Sequence, residues 1–391
     1  MNKQIGVGDI RLGPPEKKYL QMVIDSNRLS YGQFSQRFEK EMAQNHDCNF
    51  GIFCNSGTSA LLLALMTLKE KYGWSDGDEV IVPALTFIAT SNVVLQANMV
   101  PVFVDADEKT YNINPDLIEQ KITNKTRCII PVHMFGLPCE MDKICVIANA
   151  NGLRIIEDSC ETMFASFHGK KVGSFGDLAC FSTYIAHFLV TGVGGLVITN
   201  DSDLAVTVRS MMNHGRDSIY MSIDDDRDER GVVLKEVISK RFSFVRMGYS
   251  FRATELEAAI GLGQLEQKEK IVSTRIENAH FFKDALRDLE KYLILPFEPE
   301  GRDHHFMMFP IVVRSDKKNK LINFLEEANI ETRDMPTVIE QPFYKQLFGD
   351  ALHGYPVTKK VIDSGFYIGS HQYLTKAEKG YIIDKLHEFY K

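Results

Sequence analysis

The sequence predicts an α/β protein: a mostly parallel sheet flanked by helices, followed by a small C-terminal α+β part. Three observations predict it. Short apolar, β-branched runs recur at 50–54, 79–82, 101–105, 127–133, 153–156 and 196–199, as buried strands do. Segments with helical spacing lie between most of them, the alternation expected of a parallel sheet covered on both faces. After about residue 290 the alternation stops and strand-like runs become fewer.

Taken in order, residues 14–28 open on a Pro pair and place Tyr19, Met22 and Val23 at helical spacing, a helix with a start signal. A turn at 29–32 leads to a second helix over 33–45, carrying Phe34, Phe38 and Met42. The run 50–54 continues into Asn55-Ser56-Gly57-Thr58-Ser59-Ala60 and then LLLALMTL. Strand, small-residue turn and helix together aim backbone N–H groups and the positive end of a helix dipole at an anion. The same residues also read as a plain N-cap by Ser56 or Thr58. A turn at Asp76-Gly77-Asp78 precedes the strand 79–82, and PALTFIAT then sets Phe87 ahead of a helix. Helices are expected over 114–121 and 141–150, on either side of the strand 127–133.

The run 153–156 ends on Glu157-Asp158. An acid at the C-terminal end of such a strand stands where α/β sheets bind ligands. FSTYIAH at 181–187 then brings Ser182 and His187 onto the way to the next strand. An acid, a Ser and a His so placed suit a cofactor with a basic ring nitrogen and a phosphate. Beyond residue 200 come a helix over 203–212, His214-Gly215-Arg216, and DDDRDER at 224–230, which reads as a solvated loop. One long helix is expected from Ala253 towards Leu286, with Leu256, Ala259, Ile260 and Leu265 on its apolar stripe. A strand at 306–313 and helices at 317–328 and 376–390 complete the chain. The expected division is a large domain over 1–265 and a small one over 266–391.

Composition narrows the function. The 391 residues carry a net charge of −7, which gives no electrostatic support for nucleic-acid binding. No apolar run reaches the ~18 residues of a membrane span, and the first ten residues lack the apolar core of a signal peptide. The seven Cys are scattered without a CxxC pair, as reduced thiols of a cytoplasmic protein are.

IIEDSCETMFA, GSFGDLACFS and TGVGGLVITN resemble the sugar aminotransferases of the DegT/DnrJ/EryC1/StrS family. The likeness extends over essentially the whole chain, through Gly57-Thr58-x-Ala60, Pro131-Val132-His133, the segment 248–259 and Ile330-Glu331-Thr332-Arg333. It implies the fold type I of pyridoxal phosphate (PLP) transferases and a homodimer whose sites are built from two chains. By the same resemblance, Gly57, Thr58 and Ser182 hold the cofactor phosphate and Phe87 stacks on its ring. Asp158 keeps the ring nitrogen protonated, so that the ring accepts electrons, and Glu161 lies beside the cofactor. Ser250 stands at the position of an Asn that reaches the partner's phosphate. Arg333 and His214 are the implied substrate contacts.

The family's Schiff-base Lys falls five residues after the Ser of the Phe-Ser pair, and here that residue is His187. The family's smaller branch of sugar 3-dehydratases also has His there, and Cys160-Glu161 and GFYIGSH at 365–371 resemble that branch. Imidazole cannot form the Schiff base, but it exchanges protons near neutral pH, with an ordinary pKa of about 6.5. The expected activity is loss of the C3 hydroxyl from a 4-keto-6-deoxy nucleotide sugar. PLP or pyridoxamine phosphate (PMP) would be held non-covalently, with His187 as base and glutamate as amino donor. The stretch 183–188 lacks the paired His-His of the dehydratases, Val193 stands where a Glu is common, and His133 is aminotransferase-like. A nucleotide-sugar aminotransferase, or a non-catalytic binder of cofactor or sugar nucleotide, therefore remains an open alternative.

Overall fold

A computed structural model of the chain describes residues 3–217, 230–240 and 242–391. The acidic run read as a solvated loop lies outside them, apart from Arg230. Seven strands form the main sheet: β1 (Phe50–Cys54), β2 (Glu79–Pro83), β3 (Val100–Val104), β4 (Thr126–Ile129), β5 (Arg154–Asp158), β8 (Leu178–Ser182) and β9 (Gly195–Thr199). The short strands β6 (Ser166–Phe167) and β7 (Lys170–Lys171) pair with each other between β5 and β8 in the chain. The sheet order is β1-β9-β8-β5-β4-β2-β3. Only β9 is reversed, pairing antiparallel with both β1 and β8, while the remaining pairs are parallel. β8 and β9 are buried along their whole length, and β5 from its second residue on. That double-sided burial is why these strands read as continuous apolar runs rather than as alternation.

A second sheet, β10 (Leu293–Ile294), β11 (Met308–Val313), β12 (Thr332–Asp334) and β13 (Gly365–Gly369), is antiparallel in the order β10-β11-β13-β12. Its core includes Phe309, Ile311, Phe366 and Ile368, together with Ile5 from the far end of the chain. Ile5 pairs beside Ile330. The N-terminal residues thereby run across this second half before the first helix, Pro14–Ser26, begins.

The structure differs from the sequence reading in several elements. The helix expected from Ala253 to Leu286 is two helices, Glu255–Leu265 and Lys268–Ala285. No Pro marks the break, and Gly263 in the last turn of the first helix serves close approach of Glu16, a Cβ on it standing 2.7 Å from Glu16 N. Instead Gln264 and Gln267 both donate to the carboxylate of buried Glu16, on the crossing helix Pro14–Ser26. Residues 114–121 form two 3₁₀ turns, Pro115–Leu117 and Glu119–Lys121, the first capped by Asn114. So short a segment with a proline start suits the tighter helix. The strand read over 127–133 is shorter, and β12, β13 and the helices Pro342–Phe348 and Pro356–Ser364 were not anticipated.

Candidate functional site

The C-terminal ends of β5 and β8 and the turn after β1 meet at one place. β1 passes through Asn55-Ser56 into the helix Gly57–Tyr72, and Ser56 Oγ accepts the N–H of Ser59 at 3.1 Å. The N–H groups of Gly57 and Thr58, in the first turn, have no acceptor within the helix. Gly57 touches Ser182 and Cys160: a Cβ built on it would stand 2.8 Å from Ser182 Cβ and 3.0 Å from Cys160 Sγ. Only glycine lets this helix end approach the end of β8 so closely. Thr58 faces a cavity of about 350 Å³ that it shares with Ser59, Leu62, Gln96, Tyr249 and Phe251.

Asp158 ends β5 and is buried. It accepts from Thr90 Oγ1 at 2.9 Å and from the Cys160 N–H at 3.2 Å. Burial raises its pKa, and the Cys160 thiol, together with these two bonds, offsets only part of the rise. Thr90 in turn pairs with Thr86 at 3.0 Å, so the turn carrying Phe87 is tied to the end of β5. Phe87 is 61% exposed, so its ring is accessible to a ligand. The sequence reading missed Thr90; its signal was the four-residue spacing of Thr86 and Thr90 on either side of Phe87.

His187 lies in the loop between β8 and β9. Its N–H donates to the Tyr184 carbonyl at 2.9 Å. Nδ1 is buried without a hydrogen-bond partner. Burial and the charge of Arg275 lower its pKa to about 4, against the opposing pull of the Cys160 carbonyl close to the ring. The imidazole is therefore neutral at pH 7 with a free ring nitrogen. Cys160 thus neighbours Gly57, Asp158 and His187 at once.

Glu161 accepts the Phe135 N–H at 2.8 Å. Although partly open to solvent, it is crowded enough that burial raises its pKa to about 7. Phe135 packs on Tyr367 with ring centroids 5.5 Å apart, and Tyr367 stands opposite Arg333 in the second sheet. Burial and the nearby Glu161 charge raise the Tyr367 pKa, while Arg333 opposes the rise. Arg333 bonds Glu331, so this chain of contacts runs from the β5 end to the expected substrate side.

Ser250 and His214 are not joined to these residues. Both are exposed, and both meet Arg252, whose Nη2 lies 3.2 Å from Ser250 Oγ and 3.4 Å from His214 Nε2. The segment holding them runs beside the end of β1, through the bridge of Cys54 with Arg252. Arg252 was passed over as a site residue, although its place in the 248–259 motif marked it. The other strand-end acid, Glu157, is enclosed by partners of the protein's own. It accepts from the N–H groups of Gly173, Phe175 and Gly176 at 2.7–2.8 Å, and His133 Nε2 lies 3.2 Å away. His133 Nδ1 accepts the Cys139 N–H, which leaves the Nε2–H tautomer to donate to Glu157. No cluster of potential metal ligands occurs among the described residues, and all seven Cys are free thiols.

A helix N-terminus beside a serine, a buried carboxylate one strand away, an exposed aromatic ring and an unbonded imidazole nitrogen together fit a phosphopyridoxyl group. Fold and site define an enzyme of the PLP-dependent fold type I class. The family model of the DegT/DnrJ/EryC1/StrS aminotransferase family matches residues 11–387, and the chain belongs to that family. It is 33% identical to GDP-perosamine synthase of Escherichia coli O157:H7, over 99% of each chain. It superposes on GDP-4-keto-6-deoxymannose-3-dehydratase, a mutant with bound GDP-perosamine, with a TM-score of 0.87 at 26% identity, covering 98% of this chain and 100% of that one. The E. coli 3-dehydratase with bound hydrated PLP gives 0.84, also at 26% identity, over 98% and 99%. No helix among the described residues is long and apolar enough to cross a membrane.

Proposed function

We propose that this enzyme is a 3-dehydratase of a 4-keto-6-deoxy nucleotide sugar. The observation that carries the reading is His187, a neutral imidazole with an unbonded Nδ1, in a loop, residues 183–191, that contains no lysine. When bound, PMP would supply an amine for the ketone and an electron-accepting ring that lets the neighbouring hydroxyl leave.

The chain's own residues do the rest. The N–H groups of Gly57 and Thr58 and the Ser182 hydroxyl hold the phosphate at the positive end of the helix. Asp158 faces the ring nitrogen, and a cation there reverses the upward push that burial exerts on its carboxyl. Phe87 covers the ring. The His187 imidazole would accept the proton that the sugar–cofactor adduct releases, and the imidazolium, beside the Cys160 carbonyl, would return it to the departing C3 hydroxyl, which leaves as water. Glu161 stands over the same site with a titratable carboxyl. Arg333 serves the anionic nucleotide from its own subunit, and His214, which sits with Ser250 and Arg252, serves it from the second subunit. Exposed Ser250 and Arg252 suit the phosphate of a second subunit in a homodimer. In this reading a large domain spans residues 1–265 and a small one residues 266–391.

One observation favours an aminotransferase instead: the whole-chain likeness to a perosamine synthase. Incubation with PLP, ¹⁵N-glutamate and a panel of 4-keto-6-deoxy sugar nucleotides separates the readings by mass spectrometry. Dehydration, with glutamate regenerating the amine, yields a sugar lighter by one oxygen, together with 2-oxoglutarate and ammonia. A product that retains ¹⁵N supports the aminotransferase. No turnover across the panel removes both readings.

A further inference from the structure

We propose that Arg275 is the positioning residue for His187, gripping its loop by the main chain while the N-terminal strap Gly6–Gly8 packs on the same loop. The inference rests on the reading of His187 as the proton carrier. Arg275 lies on the helix Lys268–Ala285, only 1% exposed. It forms no ion pair among the described residues. Nη2 donates to the His187 carbonyl at 3.0 Å and Nη1 to the Met307 carbonyl at 2.7 Å. Its guanidinium lies over the Phe188 ring, 4.9 Å from the centroid. A buried cation without a carboxylate is expensive, and burial lowers its pKa to about 9. An apolar side chain could fill the space without that penalty, but it could not donate to the carbonyl of the residue that carries the free imidazole.

The strap acts on the preceding residues. Ile5 and Val7 are held at the second sheet: Ile5 N–H donates to the Asn329 carbonyl and Val7 N–H to Glu331 Oε2 at 2.7 Å. The Gly6 carbonyl lies 3.2 Å from His371 Nε2. Gly8 then meets the loop: a Cβ on it would stand 3.0 Å from Ala186 Cα and 3.0 Å from the Ile185 carbonyl oxygen. The backbone of Gly8 is not left-handed, so alanine there introduces a push on the loop without strain of its own. Both the strap and Arg275 are anchored on the second sheet, since Met307 leads into β11 and the Arg275 carbonyl accepts from Ser370 Oγ at 3.3 Å. His187 is thus held from that side of the molecule. The groups acting on its ring are the Arg275 charge and the Cys160 carbonyl, with the Tyr184 ring 6.5 Å away.

The test uses the full-length protein labelled with ¹³C-histidine, with His187→Asn to assign the signal. In Arg275→Gln the His187 titration should move up from about 4 by the share that the Arg275 charge contributes, while burial, the larger cause, keeps it below the free-imidazole value. With a turned-over sugar, kcat should fall about tenfold or more, since a displacement of ~1 Å can cost ~10²-fold, while KM and PLP affinity stay within about twofold. Arg275→Lys, which keeps the charge and one donor, should keep the low titration and recover part of kcat. Gly8→Ala should lower kcat with unchanged thermal unfolding. Parental titration and kcat in Arg275→Gln overturn the proposal. If that variant fails to fold, fully parental kcat in both Gly8→Ala and Arg275→Lys overturns it. If no sugar is turned over, the dehydratase reading fails, and the His187 titration still decides the role of Arg275.

Discussion

Glu157 and Asp158 are neighbours on β5 and both are buried, yet their surroundings are opposite. Glu157 is saturated: three backbone N–H groups and the His133 imidazole surround it, and they depress its pKa in spite of burial. Asp158 has one hydroxyl, one N–H and the weak thiol donor of Cys160, and burial still raises its pKa. Alternation sends the two side chains to opposite faces of the sheet. On one face the protein supplies every partner a carboxylate can use. On the other it leaves the carboxylate short of donors, and short of a cation that a ligand can bring. Burial alone does not separate structural from functional acids; the count of donors does.

That contrast can be broken at its functional end first. His187→Asn should cost about 10²- to 10⁴-fold in turnover while PLP still binds, because Asn hydrogen-bonds but takes no proton at neutral pH. Fluorescence titration with PLP alongside single-turnover assays measures both. A variant that turns over at the parental rate assigns the base elsewhere.

The buried histidines give the next largest effect. His46, His187 and His371 all have pKa values lowered to about 4, mainly by burial. The unfolded chain takes up a proton at each near pH 6.5 and the folded chain only near 4. Stability is therefore complete above about pH 6.5 and lost as the pH falls towards 4, by up to about 3 kcal/mol for each well-buried histidine such as His46. Urea unfolding from pH 7 to 4.5 measures it. A flat profile would mean that the histidines protonate within the fold.

Exchanging the two acids sharpens the comparison. Glu157→Gln places an amide among N–H donors and should lower stability by about 2–3 kcal/mol, leaving PLP affinity in the folded protein nearly unchanged. Asp158→Asn should do the reverse, weakening PLP binding with little loss of stability. Equal effects on both properties in both variants would erase the distinction. The smallest effect belongs to the exposed group: Ser250→Ala should change stability by less than about 0.5 kcal/mol, yet weaken PLP binding in a dimer that shares its phosphate sites. Calorimetry of the variant, with and without PLP, reads both.

The strand-to-helix passage at Gly57, the acid closing β5 and the Ser182–His187 spacing were all legible in the linear order. Each is a local arrangement, written within a few residues by hydrophobic period, small-residue turns and capping groups. The resemblance of those stretches then attached chemistry to them. What the order of residues left open depends on contacts between distant segments, for which no local period exists. The break after Leu265 comes from Glu16 on another helix. The saturation of Glu157 comes from a turn at 173–176. The union of Ser250, Arg252 and His214 comes from a bridge between separate loops. The grip of Arg275 on His187 joins residues 88 apart in the chain. The linear order determined which groups this protein can bring to a cofactor. Only the tertiary structure, by burying some and satisfying others, decided which of them remain free to act.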